Sequence, residues 1–355
     1  MNGIPRENNF DLIRLICASV VCLFHAHVLS GVPALSPFSS VFAAVHPVQC
    51  FFVISGILIT GSWDRSKSVS DFAVRRLRRV YPAYVLSIVG FACLLSLFSI
   101  HGARDYFFSF DFARYLGWNA LFLNFLKPSL PGVFSGNPEQ AVNGALWTLK
   151  VEVMFYCAVP VLAWLFGRFN RLVLIVGLYL ASCVYLVLFV HLSRETGRGV
   201  YAELARQLPG QMSYCLSGAL VFFHFEFFRK HAKFCLIAGL AAYVLSFRFE
   251  WLIFVKPMGL ALVVFFVAYC LPLLSRIKLP GDYSYGIFIF HYPIVQIAVA
   301  KGYFKDGDPW LVSLAALATA FSLAVLSWHG LEKRFTKRSS HPVSTISSNR
   351  VNLNA

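Results

Sequence analysis

Charged residues are scarce in this chain of 355 residues: they make up 13% of it, whereas 58% of the residues are hydrophobic. The mean hydropathy is +0.67. Soluble domains carry about a quarter charged residues. A soluble fold of this length could not cover so much apolar surface with so little charge. The composition therefore excludes the soluble globular class and predicts that the bilayer is the solvent.

Acidic residues are scarcer than basic ones: the chain has 16 Asp and Glu but 31 Lys and Arg, which gives a net charge of +15. In a soluble protein this excess would suggest nucleic acid. Here the basic residues lie mostly between apolar runs, so we interpret them as topology determinants and contacts with anionic headgroups. We predict membrane lipids as partners and no nucleic acid.

Metal-site and paired-cysteine motifs are also missing. The nine cysteines lie within or at the edge of apolar runs, and no CxxC pair occurs. We interpret them as small core residues. No HExxH spacing occurs either, which argues against a metal hydrolase. We therefore predict that the protein uses no metal.

Long apolar runs predict an all-α, polytopic membrane helix bundle of about ten transmembrane helices, since a spanning helix needs about 20 apolar residues. The first run is too long for the apolar part of a signal peptide, so we expect it to remain as a span. The predicted spans are 10–30, 42–62, 81–100, 146–166, 171–191, 209–225, 233–248, 252–274, 283–300 and 311–330.

The positive-inside rule orients this bundle. The loop 64–79 carries six basic residues and is predicted to be cytoplasmic. Ten spans then place both termini in the cytoplasm, together with the basic segments 167–171, 226–233, 275–278 and 332–338. An eleventh span at 118–126 would place these segments outside, and that run is too short to cross alone.

The segment 101–145 then becomes a long external loop, with 118–126 dipping into the membrane or lying on its surface. We predict one transmembrane domain over residues 1–338. Residues 339–355 are rich in Ser and Asn and are predicted to form a disordered cytoplasmic tail.

Polar residues within the first span need a reason, since a charge at mid-membrane costs on the order of 3 kcal/mol. Asp11 and Arg14 are three residues apart and can form an interfacial ion pair. His25 lies three helical turns beyond Arg14, so both face the same way. At ~1.5 Å per residue, His25 lies about 22 Å from the cytoplasmic start of the span.

Glu152, in the fourth span, is predicted at the same level as His25. It lies ~9 Å from the external end of its helix, and therefore ~21 Å from the cytoplasmic side of a core ~30 Å thick. An imidazole and a carboxylate at one depth suit a general base and the group that orients it or stabilises its charge. Helix–helix contact is the simpler alternative.

Three further positions are candidates. Ser55, before Gly56, allows a ligand or another backbone to approach closely, and helix packing is the simpler interpretation. Arg76 and Arg79, one helical turn apart, suit phosphates, which Arg grips bidentately; topology and lipid headgroups are the alternative. His291, in the ninth span, either lines the same cavity or caps a kinked helix.

Five segments, taken in order from residue 8 to about 295, resemble the membrane-bound acyltransferase-3 family. They are NNFDLIRL…FHAH, FFVISGILI, FAVRRLRRVYPAY, ALWTLKVEVMFY and SYGIFIFHYPI. Each is weak alone, but five in the right order are a strong signal. The family includes bacterial enzymes that O-acetylate lipopolysaccharide, exopolysaccharide and other glycans, and its members usually have about ten spans.

The resemblance also implies roles for single residues. The family's Arg-x10-His motif falls on Arg14 and His25, with His25 catalytic. Its RxxR motif falls on Arg76 and Arg79 and implies acyl-CoA binding. Its Trp-Thr-Leu-x-x-Glu element falls on Trp147, Thr148, Leu149 and Glu152. Some members carry an extracytoplasmic hydrolase-like domain, whereas we expect this chain to be a standalone member.

We thus expect acetyl-CoA as the acyl donor, bound from the cytoplasm, and a glycan or lipid-linked glycan as the acceptor. The expected catalytic residues are His25, Glu152 and Arg14, and the expected donor-binding residues are Arg76, Arg79 and Ser55. The expected acceptor-binding residues are Trp118, Asn119, Asn143, Trp147 and His291. Direct attack and an acyl-histidine intermediate both fit this set.

The expected reaction is acetylation of a surface glycan, foremost lipopolysaccharide O-antigen, on the periplasmic side of the bacterial inner membrane. An exopolysaccharide or a small molecule is the alternative acceptor. A lipid-linked glycan transporter or flippase is the alternative of another class, since intramembrane His, Glu and Arg also mark proton-coupled transport. The sequence shows no repeat symmetry, which disfavours a transporter, and it indicates no oligomeric state.

Overall fold

The computed structural model of the chain describes residues 5, 7–41, 43, 45–271 and 279–336, and every regular element within these ranges is helical. The α-helices are α1 Phe10–Ser30, α2 Ser36–Val41, α3 Val45–Asp64, α4 Val69–Leu94, α5 Ala103–Phe107, α6 Phe110–Ala120, α7 Trp147–Phe166, α8 Arg171–Thr196, α9 Gly199–Ala205, α10 Leu208–Phe223, α11 Phe225–Lys230, α12 Ala232–Leu245, α13 Lys256–Tyr269, α14 Tyr283–Ala300, α15 Tyr303–Asp306, α16 Pro309–Ser327 and α17 Lys333–Thr336. A π-helical turn, Trp328–Glu332, joins α16 to α17.

Seven helical stretches in the described ranges are long and apolar enough to cross a bilayer. They are Phe10–Ser30, Pro33–Asp64, Val69–Phe98, Gly144–Phe166, Arg171–Thr196, Tyr283–Ala300 and Pro309–Phe335. Each overlaps one predicted span. The chain is therefore an all-α, multi-pass membrane protein.

The other three predicted spans, 209–225, 233–248 and 252–274, coincide with α10, α12 and α13, which have 16, 14 and 14 residues. At about 1.5 Å per residue these helices are shorter than a hydrocarbon core of about 30 Å. The count of about ten spans and the cytoplasmic placement of both termini stay predictions. The predicted tail, 339–355, lies outside the described residues.

The α1 and α14 helices pack side by side in the bundle, and α14 is the most enclosed of the seven long apolar stretches, with 72% of its 18 residues buried. Arg14 of α1 bonds to Asp282, just before α14, and His25 of α1 bonds to His291 of α14. Because the two contacts follow the same order along both helices, α1 and α14 run parallel.

The α3 helix meets α10 backbone to backbone. A Cβ added at Gly56 would lie 2.0 Å from the carbonyl oxygen of Cys215, and one at Gly218 would lie 2.1 Å from that of Val53. Only glycine permits this approach, so Gly56 is a packing residue. Its neighbour Ser55 is turned instead toward a cavity in the bundle.

The segment between α4 and α7, predicted as an external loop, folds back onto the bundle. Its α6 has 11 residues, about 16 Å, which is too short to cross a bilayer. Gln296 at the end of α14 donates through Nε2 to the carbonyl oxygens of Glu139 and Ala141, at 2.8 and 2.9 Å. The segment therefore covers the end of the helix that carries His291.

Candidate active site

A cavity opens among α1, α3, α4, α7, α14 and the π-helical turn, with about 910 Å³ of empty space including the part open to solvent. The predicted residues that line it are Arg14, Ser55, Arg76, Arg79 and Glu152. They come from four different helices, so the tertiary fold brings five of the predicted site residues into one place.

Asp282 joins two of these arginines. Its Oδ2 accepts from Nη1 of Arg14 at 3.1 Å and from Nη2 of Arg79 at 2.7 Å, and its Oδ1 accepts from the hydroxyl of Ser284 at 2.6 Å. Burial acts to raise the pKa of Asp282, but the guanidinium groups of Arg14 and Arg79 hold it below its usual range. The carboxylate is thus ionised and fixes both arginines at the cavity.

Arg76 lines the same cavity, but part of the hydrogen-bonding capacity of its guanidinium is unused. It packs over the rings of Phe72 and Tyr156, with centroid distances of 5.8 and 5.7 Å. Its Nε is buried and has no hydrogen-bond partner among the residues the structure describes. A buried donor without a partner is costly, and an anionic group entering the cavity would satisfy it.

Local sequence explains why this arginine pair faces inward. The hydroxyl of Ser68 accepts from the backbone N–H of Asp71 at 3.1 Å and caps α4. Arg76 and Arg79 follow about two and three turns later and therefore share a face. Arg75 instead forms an ion pair with Asp71.

Glu152 lies in the cavity, and its Oε1 accepts from the phenol of Tyr156 at 2.5 Å, one turn later on α7. The sequence predicted Glu152 at the level of His25, as a partner of the imidazole. The structure gives the two residues different hydrogen-bond partners, since that of His25 is His291. The catalytic role of Glu152 stays a prediction.

His25 and His291 form a hydrogen-bonded pair. Nδ1 of His25 lies 2.9 Å from Nε2 of His291, and the rings stack with centroids 5.1 Å apart and planes at 28°. Nδ1 of His291 lies 3.1 Å from the carbonyl oxygen of Ile287. His291 is fully buried and His25 is partly buried.

An aromatic layer separates this pair from the cavity. Phe51 and Phe288 both line the cavity and pack edge to face, with centroids 5.7 Å apart. Phe288 also packs edge to face against the ring of His291, with centroids 5.8 Å apart, and neither histidine of the pair lines the cavity. The imidazole pair therefore lies directly behind the aromatic end of the cavity.

Asn143, predicted to bind the acceptor, is engaged by the fold. Pro293 has no N–H, so the carbonyl of Ile289 lacks its helical donor. Nδ2 of Asn143 and the hydroxyl of Ser87 donate to that carbonyl at 2.8 and 3.1 Å. Oδ1 of Asn143 accepts from the backbone N–H of Ala145 at 3.1 Å. Asn143 thus ties the segment before α7 to the helix that carries His291.

Asn119, the other predicted acceptor amide, is 2% exposed, and its Nδ2 donates to the carbonyl oxygens of Tyr115 and Lys127 at 2.8 and 2.9 Å. Trp118 and Trp147 are only partly buried. Trp147 packs against Phe52, with centroids 6.4 Å apart. Acceptor binding by all four residues stays a prediction.

Sequence reasoning missed three residues of the site. Asp282 directly precedes the ninth predicted span, and an acidic residue at the start of a helix is common and does not by itself indicate a site. Glu332 was included in a basic segment, yet it lines the cavity, is 4% exposed, and accepts from the hydroxyl of Ser327 at 2.7 Å. Tyr156 lies four residues after Glu152, a helical spacing that could have indicated their contact.

Metal binding was predicted to be absent. Within the described ranges, no group of three or more His, Cys, Asp or Glu side chains is placed to hold a metal ion. The predicted metal-free reaction stays a prediction.

Comparison with known proteins gives a consistent result along most of the chain. A family model described as an acyltransferase domain matches residues 7–329. An O-acetyl transferase of Shigella phage Sf6 is 28% identical over 353 residues, which cover 96% of this chain and 99% of the relative. Nodulation protein 10 of Rhizobium leguminosarum bv. viciae is 28% identical over 354 residues, 92% of each chain. Peptidoglycan O-acetyltransferase OatA of Listeria monocytogenes is 26% identical over 335 residues, 82% of this chain and 51% of the relative. No solved structure matches the chain.

Proposed function

This chain belongs to the acyltransferase-3 family, and on that premise we propose that it is an O-acetyltransferase. It moves an acetyl group from cytoplasmic acetyl-CoA to a sugar hydroxyl of a surface glycan on the periplasmic side of the bacterial inner membrane. O-antigen of lipopolysaccharide is the first acceptor to test, and exopolysaccharide is the second.

The observation that carries this proposal is the cavity itself. Arg76 and Arg79 line it, and the side chain of Arg79 is 40% exposed, so its guanidinium is accessible to solvent. Phe51 and Phe288 also line it, and Phe288 packs against His291, the hydrogen-bond partner of His25. The anion-binding arginines and the candidate base are thus separated by a single aromatic pair.

Donor binding is assigned to the arginines. The unpartnered Nε of Arg76 and the remaining N–H groups of Arg79 are suited to phosphate oxygens of acetyl-CoA, because guanidinium groups bind phosphate bidentately. Asp282 carries one negative charge and contacts both Arg14 and Arg79. One positive charge of these two arginines therefore stays available to a phosphate.

His25 acts as the general base. It takes the proton of the acceptor hydroxyl as that oxygen bonds to the acyl carbon. The carbon–sulfur bond of the thioester breaks, and the thiolate leaves and receives the proton from His25. Ser55, which lines the cavity, can donate its hydroxyl to the developing oxyanion. Phe51 and Phe288 must part for the acyl end to reach the imidazole.

Acceptor binding is assigned first to Trp118 and Trp147. Both keep part of their surface exposed, and indole faces stack on sugar rings. The amide hydrogens of Asn119 and Asn143 are already donated to backbone carbonyls. We therefore expect these asparagines to shape the acceptor side by holding the fold.

The test uses the full chain in membranes with acetyl-labelled acetyl-CoA. Arg76→Ala with Arg79→Ala should raise the KM for acetyl-CoA about 10²-fold, because two charge-assisted hydrogen bonds of ~1.5 kcal/mol each are lost. Arg78→Ala is the matched control, since Arg78 lies between them but is exposed. His25→Ala should abolish transfer at unchanged protein level.

Two results would contradict the proposal. One is an unchanged KM in the double arginine variant, which removes the donor-binding role. The other is full transfer by His25→Ala, which removes the base. Mass and NMR comparison of the surface glycans, with and without the protein, identifies the acceptor.

A further inference from the structure

We propose that His291 is the positioning residue of the reaction: it accepts a hydrogen bond from the Nδ1–H of His25 and keeps the lone pair of the neutral His25 ring on Nε2. This inference rests on the proposed function, because the position of that lone pair matters when His25 acts as a base. It replaces the acceptor-binding role predicted for His291 from the sequence.

One hydrogen-bond partner of His291 can only accept. Nδ1 of His291 lies 3.1 Å from the carbonyl oxygen of Ile287, one turn earlier on α14. A carbonyl oxygen has no proton to donate, so Nδ1 of His291 must carry the hydrogen. The neutral ring then has its lone pair on Nε2 and is a hydrogen-bond acceptor there.

The tautomer of His291 determines that of His25. Nε2 of His291 lies 2.9 Å from Nδ1 of His25. Since Nε2 accepts, Nδ1 of His25 must donate and therefore carries its hydrogen. The lone pair of neutral His25 is thus left on Nε2.

The fold holds His291 rigidly enough for this task. Its side chain is 0% exposed, its ring stacks on that of His25, and Phe288 packs against it at 5.8 Å. Two residues before His291 on α14, the carbonyl of Ile289 is held by Asn143 and Ser87. A histidine in this setting orients the base as a carboxylate does in other enzymes, without adding a charge to the membrane interior.

The same contact operates after proton transfer. When Nε2 of His25 takes a proton, Nδ1–H still donates to His291, so the imidazolium keeps its partner. A charge-assisted hydrogen bond is roughly twice as strong as a neutral one. His291 therefore stabilises the protonated base more than the neutral base.

Nitrogen NMR of the full chain, ring-labelled with 15N-histidine and reconstituted in lipid vesicles without donor or acceptor, tests the tautomer directly. The His25 signals are those absent from the His25→Ala spectrum. We expect a protonated Nδ1 and an unprotonated Nε2 at neutral pH, and a growing share of the other tautomer in His291→Leu. A wild-type His25 protonated on Nε2 would overturn the proposal.

Transfer kinetics give a second readout. His291→Leu removes the acceptor at similar volume and should lower kcat about 10²-fold, while the KM for acetyl-CoA changes by less than about threefold. His291→Gln restores an acceptor oxygen near the position of Nε2 and should stay within about tenfold of wild type. Equal kcat in the Leu and Gln variants, with both proteins folded, would contradict the positioning role.

The experiments distinguish a failure of the proposed function from a failure of the role of His291. If NMR shows the expected tautomer but His25→Ala still transfers acetyl groups, the contact is confirmed and the proposed function is wrong. If His25→Ala is inactive but the tautomer is reversed, the proposed function survives and the role of His291 is wrong.

Discussion

Replacing Asp282 with Asn removes the negative charge that holds Arg14 and Arg79 while keeping the size of the side chain. The side chains of Asp282 and Arg14 are 12% and 13% exposed, whereas that of Arg79 is 40% exposed and its pairing is more screened. Breaking a buried pair costs about 3–5 kcal/mol. Arg14 keeps a second partner in Asp11, at 2.5 Å. We therefore expect a loss of about 3 kcal/mol in the free energy of unfolding, the low end of that range.

Equilibrium unfolding of the purified chain in mixed micelles with increasing SDS, followed by tryptophan fluorescence, measures this loss. Asp111→Asn is the matched control, because Asp111 also faces two cations, Lys127 at 2.9 Å and Arg114 at 3.8 Å, but is 47% exposed. It should lose less than about 1 kcal/mol. Equal losses in the two variants would refute the reasoning.

A double variant and the pH dependence sharpen the test. Asp282→Asn with Arg14→Met should recover part of the stability, because the buried guanidinium that has lost its buried partner is gone. The pKa of Asp282 is held below its ordinary value of 3.8, so its contribution to stability is present above pH 3.8. The contribution is lost as the pH falls through the lowered pKa. The difference between wild type and Asp282→Asn should therefore be constant above pH 3.8 and shrink only below it.

Two further substitutions test the packing and the aromatic layer. Gly56→Ala should lower the free energy of unfolding by about 3 kcal/mol, because its Cβ would meet the Cys215 carbonyl at 2.0 Å. Gly90→Ala, with nothing within 4 Å, should be neutral or stabilising in the same titration, and equal effects would contradict the α3–α10 contact. Phe51→Ala should raise acceptor-independent CoA release about tenfold, because water gains access to the acyl end. Phe51→Leu should release CoA at nearly the wild-type rate, and an unchanged rate in Phe51→Ala would argue against a barrier formed with Phe288.

The same-face relation of Arg14 and His25 shows what helical periodicity predicts well. Eleven residues make three turns, and the structure turns both side chains toward α14, where they meet Asp282 and His291. Periodicity succeeds here because both residues lie in one unbroken helix, Phe10–Ser30. No assumption about a neighbouring helix is needed.

The predicted pairing of Glu152 with His25 shows that the depth of two residues in the membrane does not predict their contact. Counting residues from the two membrane faces places both at one level but says nothing about the direction of each side chain. In the structure Glu152 bonds to Tyr156, on its own helix, and lies in the cavity of Arg76 and Arg79. A position along the membrane normal does not determine a contact, because the contact also depends on helix rotation.

The sequence by itself determined that this is an all-α membrane protein with charged side chains set into its helices, because composition and periodicity are properties of the chain alone. The order of its motifs also determined the family. Only the tertiary structure decided that Asp282 holds two arginines and that His291 faces His25. These partners lie 268 and 266 positions from Arg14 and His25. Pairing over such separations depends on how α1 and α14 pack, and no local signal at either residue specifies it.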